Sequence, residues 1–64
     1  MKRVEDAIEA AYEDQIKSLY DVLSDSMLAA NGKEAEIAAA QERFRHSLAF
    51  AADVRARARA AAGL

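Results

Sequence analysis

The sequence has no cysteine, no proline and no tryptophan, and it has one histidine. Without cysteine, neither a disulfide nor a thiolate metal site can form, and one histidine excludes a multi-histidine site within a single chain. Only two glycines, Gly32 and Gly63, interrupt a chain otherwise free of helix breakers. The apolar runs are far too short for a membrane span or for the core of a signal peptide.

What remains is a short, alanine-rich chain, for which we expect one domain, 1–64. Of its 64 residues 53% are hydrophobic, and half of those are alanine. Ordering costs on the order of 1.5 kcal/mol per residue while apolar burial returns about 25 cal/mol per Å2, so small scaffolds come out near zero. Oligomerisation or a partner protein is therefore the expected stabiliser. Because cysteine-free chains suit a reducing compartment, the expected location is the cytoplasm.

The apolar residues of the first half recur at intervals of three and four residues, which is helical spacing. They are Val4, Ile8, Tyr12, Ile16, Leu19, Leu23 and Met27. Tyr20 and Val22 mark the two edges of this stripe, whose width of about 160° exceeds the minimal apolar seam of a surface helix. The pattern predicts a first helix over about 3–30.

The pair Asn31-Gly32 interrupts the helical pattern near the middle of the chain. A glycine just past a helix supplies the left-handed residue that ends it. Asn31, with Glu34 three residues later, also matches a capping box for the next helix. We therefore predict a turn at 31–33, and a connection this short leaves the two helices as antiparallel neighbours.

The second half follows a heptad pattern and predicts a helix over about 34–61. The apolar and small residues of this pattern are Ile37, Ala40, Phe44, Ser47, Leu48, Ala51, Val54, Ala58 and Ala61. Its C-terminal turns carry Arg55, Arg57 and Arg59, where cations interact favourably with the helix dipole.

Folding the chain at the turn brings residue i of the first helix against about residue 63 − i of the second. Leu19 then meets Phe44, and the acidic Glu5 and Glu9 lie near Arg55 and Arg59. Residues 1–31 carry three Lys/Arg and seven Asp/Glu, net −4, while residues 32–64 carry six and four, net +2. The helices should therefore attract each other modestly. The predicted fold is an all-α, antiparallel two-helix hairpin that dimerises into a four-helix bundle.

One antiparallel neighbour cannot cover apolar stripes this wide on both helices. The predicted partner or dimer interface comprises Tyr20, Val22, Phe50 and Val54, with Arg43 and Arg57 as its polar rim. Exposed aromatic area is unfavourable, and aromatic residues often anchor interfaces. The alternative is that Phe50 folds over Val54 as the ordinary edge of the core.

The sequence contains no recognisable catalytic grouping, so we predict that the protein is not an enzyme and has no cofactor-binding or metal-binding residues. His46 follows Glu42 by four residues, whereas the di-iron motif needs Glu and His three apart. The serines lack a suitably placed base. Arginine and alanine alternate from Arg55 to Ala60, and this spacing distributes the positive charges around a helix. Such a distribution favours a solvated helix end over a nucleic-acid site.

Two resemblances are architectural. The helix–turn–helix plan resembles plasmid copy-number RNA-binding hairpins, which dimerise into four-helix bundles and bind paired RNA loops. The length, the central Asn31-Gly32 turn and the Gln41-Glu42-Arg43 segment resemble the small co-chaperones of type III secretion needle subunits. That second likeness implies a hairpin that keeps a needle subunit soluble together with another chaperone.

The leading functional hypothesis is a protein–protein interaction module. Small acidic helical proteins without catalytic residues often act as inhibitors, anti-activators or adaptors that cover a partner's surface, including ones from bacteria and phages. The expected partner is another protein, or a second copy in a homodimer, and neither nucleic acid nor a membrane is expected. The alternatives are a needle-subunit co-chaperone and an RNA-binding four-helix-bundle regulator.

Overall fold

The computed structural model describes residues 2–64, which form two helices and no strand. Helix α1 spans Lys2–Ala30 and helix α2 spans Glu34–Ala61, and the two pack against each other. The predicted all-α hairpin is therefore confirmed. Met1, which the predicted domain includes, lies outside the described residues. Within residues 2–64, neither helix combines the length and the hydropathy needed to cross a membrane.

The chain reverses through two residues with left-handed backbone angles. Asn31 has φ 49° and Gly32 has φ 82°, and the N–H of Lys33 donates to the carbonyl of Ala30 at 3.0 Å. Two successive positive φ values inside such a four-residue hydrogen-bonded loop are typical of a type I′ turn, for which Asn-Gly is the preferred pair. The three-residue connection leaves α1 and α2 antiparallel.

The predicted capping box of Asn31 and Glu34 is wrong. The residue preceding α2 is Lys33, in extended backbone with φ −74° and ψ 109°, and no side chain caps the helix there. Asn31 lies two residues before the cap position, inside the turn that reverses the chain, so its side chain does not cap the first turn of α2. Lys33 instead accepts at its carbonyl from the N–H groups of Glu36 and Ile37.

Helix α2 ends in a pattern of hydrogen bonds around a left-handed glycine. Gly63 has φ 80°, its N–H donates to the carbonyl of Ala60 at 3.0 Å, and the N–H of Leu64 donates to that of Arg59 at 2.9 Å. These two bonds define a Schellman motif, which satisfies carbonyls that the helix end leaves without partners.

The hairpin is a plate that is one helix layer thick. Its Cα atoms extend over 47 × 15 × 8 Å. Facing residues have numbers that add to about 64, as Glu9 with Arg55 and Glu5 with Arg59 show. This register is within one residue of the predicted sum of 63, and it confirms the expected approach of the acidic and basic side chains.

The core between the helices is thin. The buried residues are all alanines, namely Ala30, Ala40 and Ala51, and no large side chain among residues 2–64 is fully buried. Five of the larger residues in the two helical patterns are half-buried: Tyr12, Ile16, Leu19, Phe44 and Leu48. Small residues let the helix axes approach closely, but the plate then has two broad sides that no other element covers.

Candidate protein-interaction surface

One side of the plate presents a row of exposed apolar side chains, which we call the open face. It comprises Val4, Val22, Phe50 and Val54. Phe50 is 62% exposed, Val22 is 61% exposed and Val54 is 41% exposed. The alternative in which Phe50 folds away as core edge does not describe this structure, because most of its side chain is in contact with solvent.

The phase of each helix explains why these residues share a side. Successive helical residues turn by about 100°, so Val4 and Val22 point in the same direction on α1, about 140° away from Glu9. On α2, Val54 points about 140° away from Arg59 by the same rule. Because Glu9 and Arg59 contact each other, the valines must lie on the opposite side of the plate.

Two shallow depressions follow the seam between the helices. One, of about 130 Å3, is lined near the chain ends by residues that include Ile8, Val54 and Ala58. The other, also about 130 Å3, lies nearer the turn and is lined by residues that include Val22 and Arg43. Both contain residues of the open face, so this side offers grooves that side chains of another helix can fill.

The opposite side is closed at the chain ends by charged side chains, and we call it the ion-pair face. Arg55 Nε lies 2.9 and 2.8 Å from the two carboxylate oxygens of Glu9. Arg59 Nη1 lies 3.1 Å from Glu5 Oε2 and 3.4 Å from Glu9 Oε2. The Arg55 guanidinium also lies 5.4 Å from the ring centroid of Tyr12, within range of a cation–π contact.

The contact between Glu9 and Arg55 shifts the pKa values of both groups. Hydrogen bonds from Arg55 lower the pKa of Glu9 below its ordinary value; partial burial opposes this, and the nearby positive charges of Arg55 and Arg59 add to it. The same hydrogen bonds raise the pKa of Arg55. Both groups therefore remain charged near neutral pH, and the four side chains satisfy one another without a second chain.

The structure separates one of the six predicted interface residues from the others. Tyr20 is 63% exposed, but it lies two positions before Val22 and so points about 160° away from it, on the side of the ion-pair face. Val22, Arg43, Phe50, Val54 and Arg57 share the open side. Arg43 and Arg57 lie seven residues before and after Phe50, which places them along the same edge of α2.

Two further apolar residues are exposed in the structure but are not among the predicted interface residues. Val4 belongs to the open face, and its position at the start of the α1 stripe is the signal that could have identified it. Leu28 is 81% exposed and points away from α2. Its position off the centre of the stripe indicates exposure, but nothing in the pattern indicates a role.

His46 and the carboxylates of the described residues do not form a metal-binding cluster. Among residues 2–64, no three His, Cys, Asp or Glu side chains are arranged to hold a metal ion. His46 is exposed, and Glu42 forms an ion pair with Arg45. Glu42, His46 and Ser47 line a shallow depression, which is open to solvent.

The arginines near the C-terminal end of α2 are engaged by carboxylates. Arg55 and Arg59 bind Glu9 and Glu5, and Arg57 Nε lies 2.8 Å from Asp53 Oδ2. Their positive charge is largely compensated within the hairpin.

The comparisons with known proteins identify no relative. No family model matches the chain, and no curated protein or solved structure matches it significantly.

Proposed function

We propose that the chain is a non-catalytic protein-interaction module whose open face docks against another helical surface. One observation carries the proposal: no large side chain among residues 2–64 is fully buried, while Val22, Phe50 and Val54 stand exposed together on one side. Such a combination is typical of a surface that is covered in the working state.

The energetic argument is that a two-helix plate has too few layers to hide its apolar surface. Full burial of a valine or phenylalanine side chain is worth about 1.5–3 kcal/mol. The hairpin leaves much of that stabilisation unrealised along the open face. A second helical layer would recover it, because side chains from that layer can fill the two depressions beside Val22 and Val54.

A second copy is the occupant we propose for the open face, which yields a four-helix bundle. The face measures about 47 by 15 Å between Cα atoms, a footprint of the same order as the roughly 800 Å2 that each partner buries in a standard interface. A homodimer also places Phe50 of both chains in the interface, since a two-fold contact uses the same patch twice.

The biological role that fits such a module is inhibition or adaptation of a partner protein. A protein that presents an apolar helical surface can replace the second copy, and the hairpin then covers that surface. The lack of cysteine is compatible with action in the reducing cytoplasm, where we place this activity.

The test is the substitution Phe50→Glu, which puts a charge at the most exposed large residue of the open face. We expect the molecular mass from sedimentation equilibrium to shift from dimer to monomer, while circular dichroism shows that helicity survives. The reason is that a buried glutamate without a partner is costly to desolvate.

The matched control is Ala49→Glu. Ala49 is exposed on α2 and turns about 100° further from the open face than Phe50 does, so the same charge should leave the dimer mass unchanged. A wild-type protein that is a monomer throughout the concentration range, or a Phe50→Glu dimer as stable as the wild type, would falsify the proposal.

A further inference from the structure

The charge difference between the helices selects one of two ways to stack a second copy on the open face. With the two-fold axis parallel to the helices, α1 of one copy lies on α2 of the other, and both turns are at the same end. With the axis across the helices, α1 lies on α1, α2 lies on α2, and the turns are at opposite ends.

The total charges disfavour the second arrangement. The first half of the chain carries −4 and the second half +2, so stacking α1 on α1 brings like charges together. Like-charge juxtaposition across an interface costs free energy and suppresses that alignment. Glu5 and Glu9 pair with Arg55 and Arg59 on the opposite face, and leaving out these four residues changes the net charges from −4 to −2 and from +2 to 0. Stacking α1 on α2 therefore avoids the repulsion between the two acidic helices.

The edges beside the open face show the same asymmetry locally. By helical phase the edge of α1 carries Asp14, Asp21 and Asp25, with Arg3 near its start. The edge of α2 carries as many cations as carboxylates, namely Arg43, Arg57, Glu36 and Asp53. Asp14 pairs with Lys17 and Arg57 pairs with Asp53 inside the chain. Arg43 forms no ion pair with any described residue, so it is available to carboxylates of a neighbouring copy.

Side-chain sizes are compatible with the same arrangement. An axis parallel to the helices preserves the register within the hairpin, so residue i of α1 faces about residue 64 − i of the second copy's α2. Val54 of one copy then lies over the exposed Ala7 and Ala11 of the other, and Val4 lies over Ala58 and Ala61. Large residues opposite small ones allow the layers to interdigitate.

From these observations we infer that the second copy docks with its two-fold axis parallel to the helices, placing α1 on α2 of its partner and both Asn31-Gly32 turns at one end. This inference rests on the proposed function, because it presumes that the open face is covered by a second copy. The two arrangements differ in the distances between chains. Because the sequence has no cysteine, a single introduced cysteine can carry a label at one chosen position.

The experiment attaches one nitroxide label per chain through Lys33→Cys at the turn or through Ala60→Cys near the other end, both at exposed positions. In homodimers of either variant we expect interchain distances below about 35 Å, given helix axes 8–10 Å apart and labels that point outward from the helices. In a mixture of the two singly labelled variants, the distance from the turn to the opposite end should approach the 47 Å length of the plate.

Each alternative outcome has its own signature. Long distances within each labelled homodimer, with a short distance in the mixture, would show the crossed arrangement and overturn the inference while the proposed function stands. A short turn-to-turn distance with a long Ala60→Cys distance would show exchanged helices and would also overturn it. The absence of any interchain distance at concentrations used for sedimentation would overturn both the inference and the proposed function.

Discussion

The two sides of the hairpin are made of the same two helices, yet the side chains of one pair with each other while those of the other remain exposed. On the ion-pair face, Glu9 finds Arg55 and Arg59 across the seam, so its polar groups are satisfied within one chain. On the open face, Val22 and Phe50 have no third helix to contact. A two-helix protein can pair the charges of one side within a single chain, but the burial of an apolar side requires a further layer of helices.

The largest effect should come from separating the helices along the line where the two sides meet. Ala51 is fully buried there, so Ala51→Leu forces the helices apart and should reduce the free energy of unfolding by about 1–3 kcal/mol. Urea denaturation measures this change. The control is Ala52→Leu at the next, exposed position, and equal losses in the two variants would contradict the assigned packing.

The next effect compares the two exposed edges of α1. In the proposed homodimer, Val22→Ser should raise the dissociation constant by at least about tenfold, because each dimer buries two copies of Val22 and a loss of 1.4 kcal/mol already represents tenfold. Tyr20→Ser should leave it unchanged, because Tyr20 points to the other side. Sedimentation velocity at several concentrations provides both values, and an equal weakening by the two substitutions would refute the division into two faces.

The smallest effect concerns the acid response of the ion-pair face. The pKa of Glu9 is lower in the folded protein than in the unfolded chain, so its stabilisation is present above about pH 4.5 and is lost as pH falls through the folded pKa. The Tm should therefore fall on acidification, when measured at fixed protein concentration because association also affects it. Solvent and salt screen this half-exposed pair and keep the change modest.

Two arginine variants isolate that acid response. Arg55→Ala removes the main cause of the lowered pKa and should flatten the fall in Tm between pH 6 and pH 3. Arg57→Ala removes a neighbouring cation that pairs only with Asp53, on its own helix, so its profile should match the wild type. Identical profiles for the two variants would show that the Glu9 cluster does not control the response.

The sequence was sufficient for the helices and for the charged seam. Helical spacing without breakers predicts α1 and α2, and a short Asn31-Gly32 turn sets a register in which Glu9 can only approach the arginines of the last turns. Both inferences depend on local chemistry and on counting along the chain. They need no knowledge of how either helix is rotated about its own axis.

The side on which Tyr20 lies and the conformation of the turn depend on that rotation and on backbone angles. Tyr20 and Val22 are two edges of one stripe, and only the observed orientation of α2 shows which edge lies beside Phe50. The Asn31 cap failed for a related reason: a side chain can cap a helix only from the adjacent residue, and the left-handed angles of Asn31 and Gly32 placed Lys33 there. The sequence pattern is compatible with several positions and conformations of such residues, and it does not determine which one the fold adopts.

The turn has a consequence for the topology of the proposed dimer. Asn31 and Gly32, with φ 49° and 82°, and Lys33, with ψ 109°, keep α1 and α2 from continuing into a single rod of about 90 Å at 1.5 Å per residue. Two such rods lying antiparallel would re-form every seam contact, including Glu9 with Arg55, between chains instead of within one. The three residues of the connection therefore decide whether the seam between α1 and α2 forms within one chain or between two chains.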